Sequence, residues 1–234
     1  MRTRSLLRLA ALAAFLGAGC AVPGEVRSPA PAVRSWRGPQ VWQGEINAFR
    51  EADRTSPPPA NGILFMGSSS IRMWDLKRYF PGLPVINRGF GGSYISDSAN
   101  FTDAIAAPYK LRLVVLYAGD NDAADGKPPA RIAADFDYFL ASLRAGSPGV
   151  PVIYISIKPS PARWELWPAM QEANALIARA CGAQPPCRFL DVVPAMLGPG
   201  GRPRPELYQP DGLHMTDQGY QLWADLLGPM LKEP

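Results

Sequence analysis

The sequence predicts an α/β fold, a three-layer α/β/α sandwich built around a five-stranded parallel sheet. Short apolar runs recur along the chain, and each is followed by a longer segment of helical character, which is the βαβ pattern. The runs LVVLY and VIYIS are apolar on both faces, as expected for parallel strands covered by helices on both sides. The 234 residues, 47% of them hydrophobic, suffice for one core and show no internal repeat. We therefore expect one folded domain.

The amino terminus has the features of an export signal. Three arginines precede an uncharged run, Leu9–Gly19, which is too short to span a bilayer. This pattern predicts a signal peptide over residues 1–19. The following LGAGC resembles the bacterial lipobox, which predicts that Cys20 is lipidated and anchors the protein to a membrane. The alternative is ordinary cleavage nearby with Cys20 incidental, and either route takes the product out of the cytoplasm.

The segment 20–39 is rich in proline, serine and arginine without periodicity, which predicts a lipidated tether ahead of a folded domain over 40–234. Loss of the signal peptide removes three of the 24 basic residues and leaves 21 against 20 acidic ones. A nearly neutral chain without a basic patch argues against a nucleic-acid partner. The expected location is the cell envelope, on a periplasmic or extracellular face. Ala21 favours outer-membrane sorting in a host with two membranes.

The elements are expected in a regular order. An amphipathic helix is predicted from Val41 to Arg54, with Trp42, Ile46 and Phe49 on one face. The last helix should begin near Thr216 and bury Tyr220, Leu222, Trp223, Leu226 and Leu227. The five strands are predicted at Ile63–Met66, Pro84–Asn87, Leu113–Tyr117, Val152–Ile157 and Arg188–Val192.

Two cysteines, Cys181 and Cys187, flank a turn between a predicted helix and a predicted strand. A short disulfide is the expected state in an oxidising compartment. A zinc site would need further ligands, and the one histidine of the chain is far away in sequence.

Two of the loops that leave strand ends are rich in glycine and serine. The first, GSSSI at 67–71, sits at a strand-to-helix turn, where serines either cap the helix or supply a nucleophile. It is not the GxSxG elbow, because Ile71 stands at the second glycine position. The second, NRGFGG at 87–92, is not a dinucleotide fingerprint, because Tyr94 replaces the third glycine. It is either a tight turn or a site that offers a backbone amide to an anion.

Two further loops carry polar side chains. In GDND at 119–122, calcium binding is disfavoured because Ala124 and Gly126 break the required spacing, so Asn121 is the candidate as an amide donor. In DGLH, Asp211 stands three residues before the sole histidine, His214. Such an aspartate can orient an imidazole, although a lone histidine can also be structural.

Taken together, the four blocks GSSSI, NRGFGG, GDND and DGLH resemble the SGNH hydrolases, or GDSL esterases and lipases, in the order that family uses. The resemblance extends from Ile63 to Leu231 and implies a flavodoxin-like fold. Carried over by position, it implies Ser69 as nucleophile with Asp211 and His214 completing a triad. An oxyanion hole is implied at Ser69, Gly92 and Asn121. Ser68, where the family has aspartate, and Ser70 would be turn and capping residues, and Asp122 a structural one.

The resemblance implies a serine esterase that works through an acyl-enzyme, with no metal and no organic cofactor. Short acyl esters are expected because no long apolar lid segment is visible, and carbohydrate-borne esters are expected as well, since Trp164 and Trp167 can stack on a sugar ring. Tyr94 and Trp164 are candidates for the pocket wall, although Trp164 and Trp167 can equally be core anchors. The alternatives are an O-acyltransferase of cell-wall or surface polysaccharide and a non-catalytic carbohydrate-binding lipoprotein. A complete triad argues against the latter, and the oligomeric state is left open.

Overall fold

The computed structural model describes residues 38–232. The predicted signal peptide, Cys20 and all but the last two residues of the predicted tether lie outside this range. Within it, no helix combines the length and apolar character needed to cross a membrane.

All five strands are parallel and form one sheet with the order β2-β1-β3-β4-β5. This order confirms the predicted fold class. The strands are β1 (Gly62–Gly67), β2 (Val85–Gly89), β3 (Leu111–Tyr117), β4 (Val152–Ile155) and β5 (Cys187–Leu190).

Strands β4 and β5 each end two residues earlier than predicted. The backbone of Ile157 leaves the ladder because Asn174 bonds to both of its polar groups, at 2.8 Å from N to Oδ1 and 2.9 Å from Nδ2 to O. The amide of Val192 is likewise taken by the Ser156 hydroxyl, at 3.0 Å. Side chains thus replace strand partners at the edge of the sheet where the site lies.

Ten α-helices lie within the described range of 38–232. The first helix begins at Gln43, because Pro39–Trp42 forms a 3₁₀ turn ahead of it, and the last begins one residue after Thr216. Further 3₁₀ turns lie at Pro161–Leu166 and Pro205–Leu207. The helices are α1 (Gln43–Thr55), α2 (Ser69–Arg72), α3 (Leu76–Tyr79), α4 (Ile95–Asn100), α5 (Thr102–Ile105), α6 (Asp120–Ala124), α7 (Pro129–Gly146), α8 (Trp167–Ala183), α9 (Val193–Met196) and α10 (Asp217–Lys232).

The core has two halves because alternate residues of each strand point to opposite faces of the sheet. Leu64 and Met66 join a cluster that contains α1, α4, α5, α7 and α8, whereas Ile63 and Phe65 join one that contains α2, α3 and α10. On α10, Trp223 is fully buried, and the other predicted inward positions are buried or packed against the same cluster. Cys181 and Cys187 form the predicted disulfide between α8 and β5.

The topology creates a switch point beside β1. The chain leaves β1 into α2 on one face and leaves the adjacent β3 into α6 and α7 on the opposite face. In a doubly wound sheet, loops that diverge in this way open a crevice at the carboxyl ends of the strands. GSSSI and GDND stand on its two sides.

Candidate active site

The GSSSI turn presents one of its three serines to solvent. Gly67 ends β1 with a φ of 131°, and a Cβ there would overlap the carbonyl oxygen of Tyr117 on β3. Only glycine fits this close approach. Ser68 and Ser70 are 1% and 2% exposed, whereas Ser69, the first residue of α2, is partly exposed.

Ser68 occupies the N-cap position of α2, as predicted, but its side chain does not cap the helix. Its Oγ atom is buried without a hydrogen-bond partner among the described residues. The amide of Ser68 instead donates to the carbonyl of Tyr117, at 3.0 Å, and so ties the turn to β3.

The imidazole of His214 lies between Ser69 and Asp211. Its Nε2 atom is 3.1 Å from the Oγ atom of Ser69, and its Nδ1 atom is 2.6 Å from Oδ2 of Asp211. Ser69 and His214 are 145 residues apart in sequence. The structure therefore brings the three predicted triad residues into one hydrogen-bonded chain.

The DGLH loop is shaped by its own backbone. The amide of Gln209 donates to the carbonyl of His214, and the amide of Gly212 donates to the carbonyl of Gln209, both at 2.8 Å. Gly212 has a φ of 65°, in the left-handed region that favours glycine. The resulting tight turn holds the imidazole of His214 against Ser69.

Asp211 is held in its ionised form. Hydrogen bonding to His214, together with the backbone amides of Leu213 and His214, lowers the pKa of Asp211 to about 2. Because a carboxylate only accepts hydrogen bonds, the proton of the neutral imidazole lies on Nδ1. The Nε2 atom of His214 is then free to accept the hydroxyl proton of Ser69.

The NRGFGG block is fastened to the serine turn by Asn87. Its Nδ2 atom donates to the carbonyl of Ile71, at 2.8 Å, and its Oδ1 atom accepts from the amide of Gly89, at 2.9 Å. The amide of Phe90 donates to the carbonyl of Gly67, also at 2.9 Å. These bonds fix the path of the loop that leads to Gly92, which is partly exposed and has a φ of 79°.

Asn121 connects GDND to the same loop. It lies on α6, its side chain is buried, and its Nδ2 atom donates to the carbonyl of Ser93, at 3.1 Å. One of the two amide protons is thereby used. The second proton is the one that the predicted oxyanion role requires.

A buried charged cluster next to Asn121 was not identified from the sequence. Lys158 and Arg163 lie 3.2 Å and 3.0 Å from Oδ2 of Asp120. Burial acts to raise the pKa of Asp120, but these two cations outweigh it and hold the pKa below its usual value. Burial also lowers the pKa of Lys158. The sequence signal for this cluster is the position of KPSPAR directly after a predicted strand, which puts Lys158 and Arg163 at the same edge of the sheet as the other loops.

A second buried ionic cluster lies behind GDND. The Nζ atom of Lys127 is 2.7 Å from a carboxylate oxygen of Asp122 and 2.7 Å from one of Asp135. The other oxygen of Asp122 accepts the amide proton of Ile95 on α4, at 3.2 Å. Burial raises the pKa of Asp122, and Lys127 opposes that shift. Asp122 therefore joins α6 to α4.

Tyr94, predicted for the pocket wall, is enclosed in the structure, and its contact with substrate stays a prediction. Tyr94 is 2% exposed, its hydroxyl donates to Asp125, and Lys127 lies over its ring at 4.1 Å from the centroid. A ring so enclosed belongs to the wall behind the site. The sequence did not show this because Tyr94 follows a glycine-rich loop and its direction depends on the packing of α4.

Trp164 is partly buried on the rim. It stacks on Trp167, with centroids 6.0 Å apart, and Arg202 lies over its ring at 5.0 Å from the centroid. Trp167 is buried in the core, so it is the anchor of the pair. A contact between Trp164 and substrate stays a prediction.

Comparison with known proteins agrees with this arrangement. The model of the GDSL-like lipase/acylhydrolase family matches residues 68–222, which is about two thirds of the chain. The chain belongs to this family. The match includes the serine turn and the DGLH loop, and it makes the chain a hydrolase. No curated protein matched.

Solved structures share the fold of this GDSL-family hydrolase. A Streptococcus pneumoniae structure named for platelet activating factor has a TM-score of 0.74 and 21% identity, covering 82% of this chain and 93% of its own. A GDSL-like lipase from Bacteroides thetaiotaomicron has a TM-score of 0.68 and 21% identity, covering 80% and 97%. A carbohydrate esterase of family 3 from Talaromyces cellulolyticus has a TM-score of 0.57 and 20% identity, covering 73% and 95%.

Proposed function

We propose that this GDSL-family hydrolase is a serine esterase in which Ser69 is the nucleophile, His214 the general base and Asp211 the residue that orients the imidazole. The observation that carries the proposal is the chain of two short contacts from Ser69 through His214 to Asp211. A serine hydroxyl is a weak nucleophile unless a base removes its proton, and this geometry supplies the base.

The reaction proceeds in two halves. Oγ of Ser69 attacks the ester carbonyl while Nε2 of His214 takes its proton, and the tetrahedral intermediate collapses when His214 returns that proton to the leaving alcohol. A water molecule then attacks the acyl-enzyme by the same route and releases the acid. The backbone amides of Ser69 and Gly92 and the side-chain amide of Asn121 would stabilise the oxyanion.

Short acyl groups and carbohydrate-borne esters are the substrates that we propose. The carbohydrate esterase among the structures with this fold supports the second class. Trp164 on the rim supports it as well, since an indole face can pack against a sugar ring. A site that admits a sugar hydroxyl in place of water would act as an acyltransferase, so the assay should include a saccharide acceptor.

The test uses p-nitrophenyl acetate, butyrate and octanoate with the full-length protein in detergent. We expect Ser69→Ala to abolish turnover, and we expect Ser68→Ala to retain it. Ser68 is the matched control, because it is the adjacent serine and its buried hydroxyl makes no hydrogen bond within the described residues. Equal rates for the wild type and Ser69→Ala would contradict the esterase mechanism. Acylated sugar formed at the expense of hydrolysis would identify a transferase.

We also propose that the enzyme is anchored in the cell envelope through lipidated Cys20. The LGAGC sequence at 16–20 supports this proposal. Cys20→Ser should abolish incorporation of labelled palmitate and move the protein from the membrane fraction to the soluble fraction. Unchanged labelling in that variant would exclude Cys20 as the acylation site.

A further inference from the structure

Arg163 reaches from the Pro161–Leu166 turn to the side chain of Asn121. Its Nη2 atom donates to Oδ1 of Asn121 at 2.9 Å, and its Nη1 atom lies 3.0 Å from Asp120. The side chain of Arg163 is 17% exposed. We propose that Arg163 is a positioning residue, which orients the Asn121 amide toward the oxyanion. The inference rests on the proposed esterase function.

The two ends of the Asn121 carboxamide have opposite hydrogen-bonding roles. The oxygen of Asn121 can only accept hydrogen bonds and its nitrogen only donates them, whereas Arg163 can only donate. The contact with Arg163 therefore fixes Oδ1 on the side away from the reacting carbonyl. A rotation of the amide by half a turn would present that oxygen to the oxyanion and replace an attraction with a repulsion.

The positive charge of Arg163 adds to this effect. A cation at the carbonyl end of an amide draws electron density toward that end and makes the N–H groups stronger donors. The Nδ2 atom of Asn121 donates one of its two protons to the carbonyl of Ser93, at 3.1 Å. Arg163 thus strengthens and orients the remaining donor without touching substrate.

Arg163 is itself held in place from two directions. Asp120 binds it and is bound in turn by Lys158, at 3.2 Å. The neighbouring residue, Ala162, donates its amide to the carbonyl of Gly212 in the DGLH loop, at 3.0 Å. One short segment therefore contacts both the oxyanion side and the histidine side of the site.

Removal of Arg163 should weaken transition-state stabilisation more than substrate binding. We expect Arg163→Met to lower kcat about 10-fold or more while KM changes less than about twofold. Arg163→Lys keeps the charge but not the planar fork, so it should recover part of the loss. In an Asn121→Ala background, Arg163→Met should have almost no further effect, because the group that it orients is absent.

The experiment measures kcat and KM of the full-length protein on p-nitrophenyl acetate for these single and double variants, with thermal unfolding to establish folding. Arg144→Met is the matched control. Arg144 is also partly buried and makes two hydrogen bonds, to Gln184 at 3.0 Å and 2.7 Å. It lies near the end of α7, just before β4 begins, and so at the opposite edge of the sheet. We expect its kcat to match the wild type.

A kcat loss in Arg163→Met that disappears in the Asn121→Ala background supports the inference. A kcat within twofold of the wild type overturns it, and so does a loss that is fully additive with Asn121→Ala. If Arg163→Met does not fold, the same cycle is run with Arg163→Lys. Neither overturning result affects the proposed function, whose own failure is seen as activity that survives Ser69→Ala.

Discussion

The Nδ1 atom of His214 lies 2.6 Å from one carboxylate oxygen of Asp211, and the other oxygen accepts the amide protons of Leu213 and of His214 itself, both at 2.9 Å. The carboxylate is therefore fixed by the backbone of the residue whose ring it orients. The aspartate and the imidazole are thus bonded to each other within a loop of four residues. The contact between Asp211 and His214 depends only on the local turn, whereas the contact between His214 and Ser69 depends on how the whole chain folds.

The first prediction concerns Asp211→Asn. Asparagine no longer requires a proton on Nδ1 of His214, so the ring can adopt the tautomer that cannot accept the Ser69 proton. We expect kcat to fall by about three to four orders of magnitude with little change in KM. Steady-state kinetics on p-nitrophenyl acetate measure this. Asp217→Asn, at an exposed ion pair with Arg78, is the control. A variant that kept a tenth of the activity would contradict the orienting role.

The second prediction concerns pH. With a pKa of about 2, Asp211 stays ionised above about pH 4. The stability that Asp211 gains from its hydrogen bonds to His214 and to the two backbone amides should therefore be present above about pH 5 and be lost as the pH falls toward about 2. The difference in unfolding free energy between the wild type and Asp211→Asn should shrink over that interval, and urea unfolding at each pH measures it. A difference that stays constant between about pH 5 and about pH 2 would contradict the lowered pKa of Asp211.

The third prediction tests the close approach of β1 to β3. Gly67→Ala places a methyl group against the carbonyl of Tyr117 at a φ of 131°, so we expect a loss of on the order of 3 kcal/mol or more in the free energy of unfolding. Gly228→Ala in α10 meets nothing within 4 Å and should raise that free energy by about 0.5–1 kcal/mol. Urea unfolding compares them, and equal stability of the two variants would refute the steric argument.

The fourth prediction separates the buried and exposed partners of Asp135. Lys127 is 1% exposed and is the buried cation that Asp122 and Asp135 share, so Lys127→Ala should cost about 3–5 kcal/mol of unfolding free energy. Arg131 contacts the same Asp135 but is 50% exposed, and Arg131→Ala should cost less than about 1 kcal/mol. Denaturant unfolding measures both changes. Similar losses would show that burial does not set the strength of this cluster.

Much of the fold could be predicted because it depends on local periodicity. The run Ile63–Met66 is apolar throughout, which predicts a strand buried on both faces, and alternate residues of this strand join opposite halves of the core. The ends of β4 and β5 could not be predicted, because Asn174 and Ser156 replace strand partners there. The first bond depends on where α8 packs and the second on how the chain leaves β4 and β5, and no local pattern encodes either.

The sequence by itself determined the order of the four blocks, the family resemblance and the identity of the only imidazole. Only the tertiary structure decided that Ser69 lies within hydrogen-bonding distance of that imidazole, that Tyr94 is enclosed, and that Arg163 holds Asn121. The physical reason is the direction of side chains. Residue type and spacing determine which chemistry a side chain can perform. The direction in which that side chain points is set by packing among segments that are distant in the chain. Ser69 and His214 meet across 145 residues because a parallel sheet gathers its carboxyl-end loops at one edge.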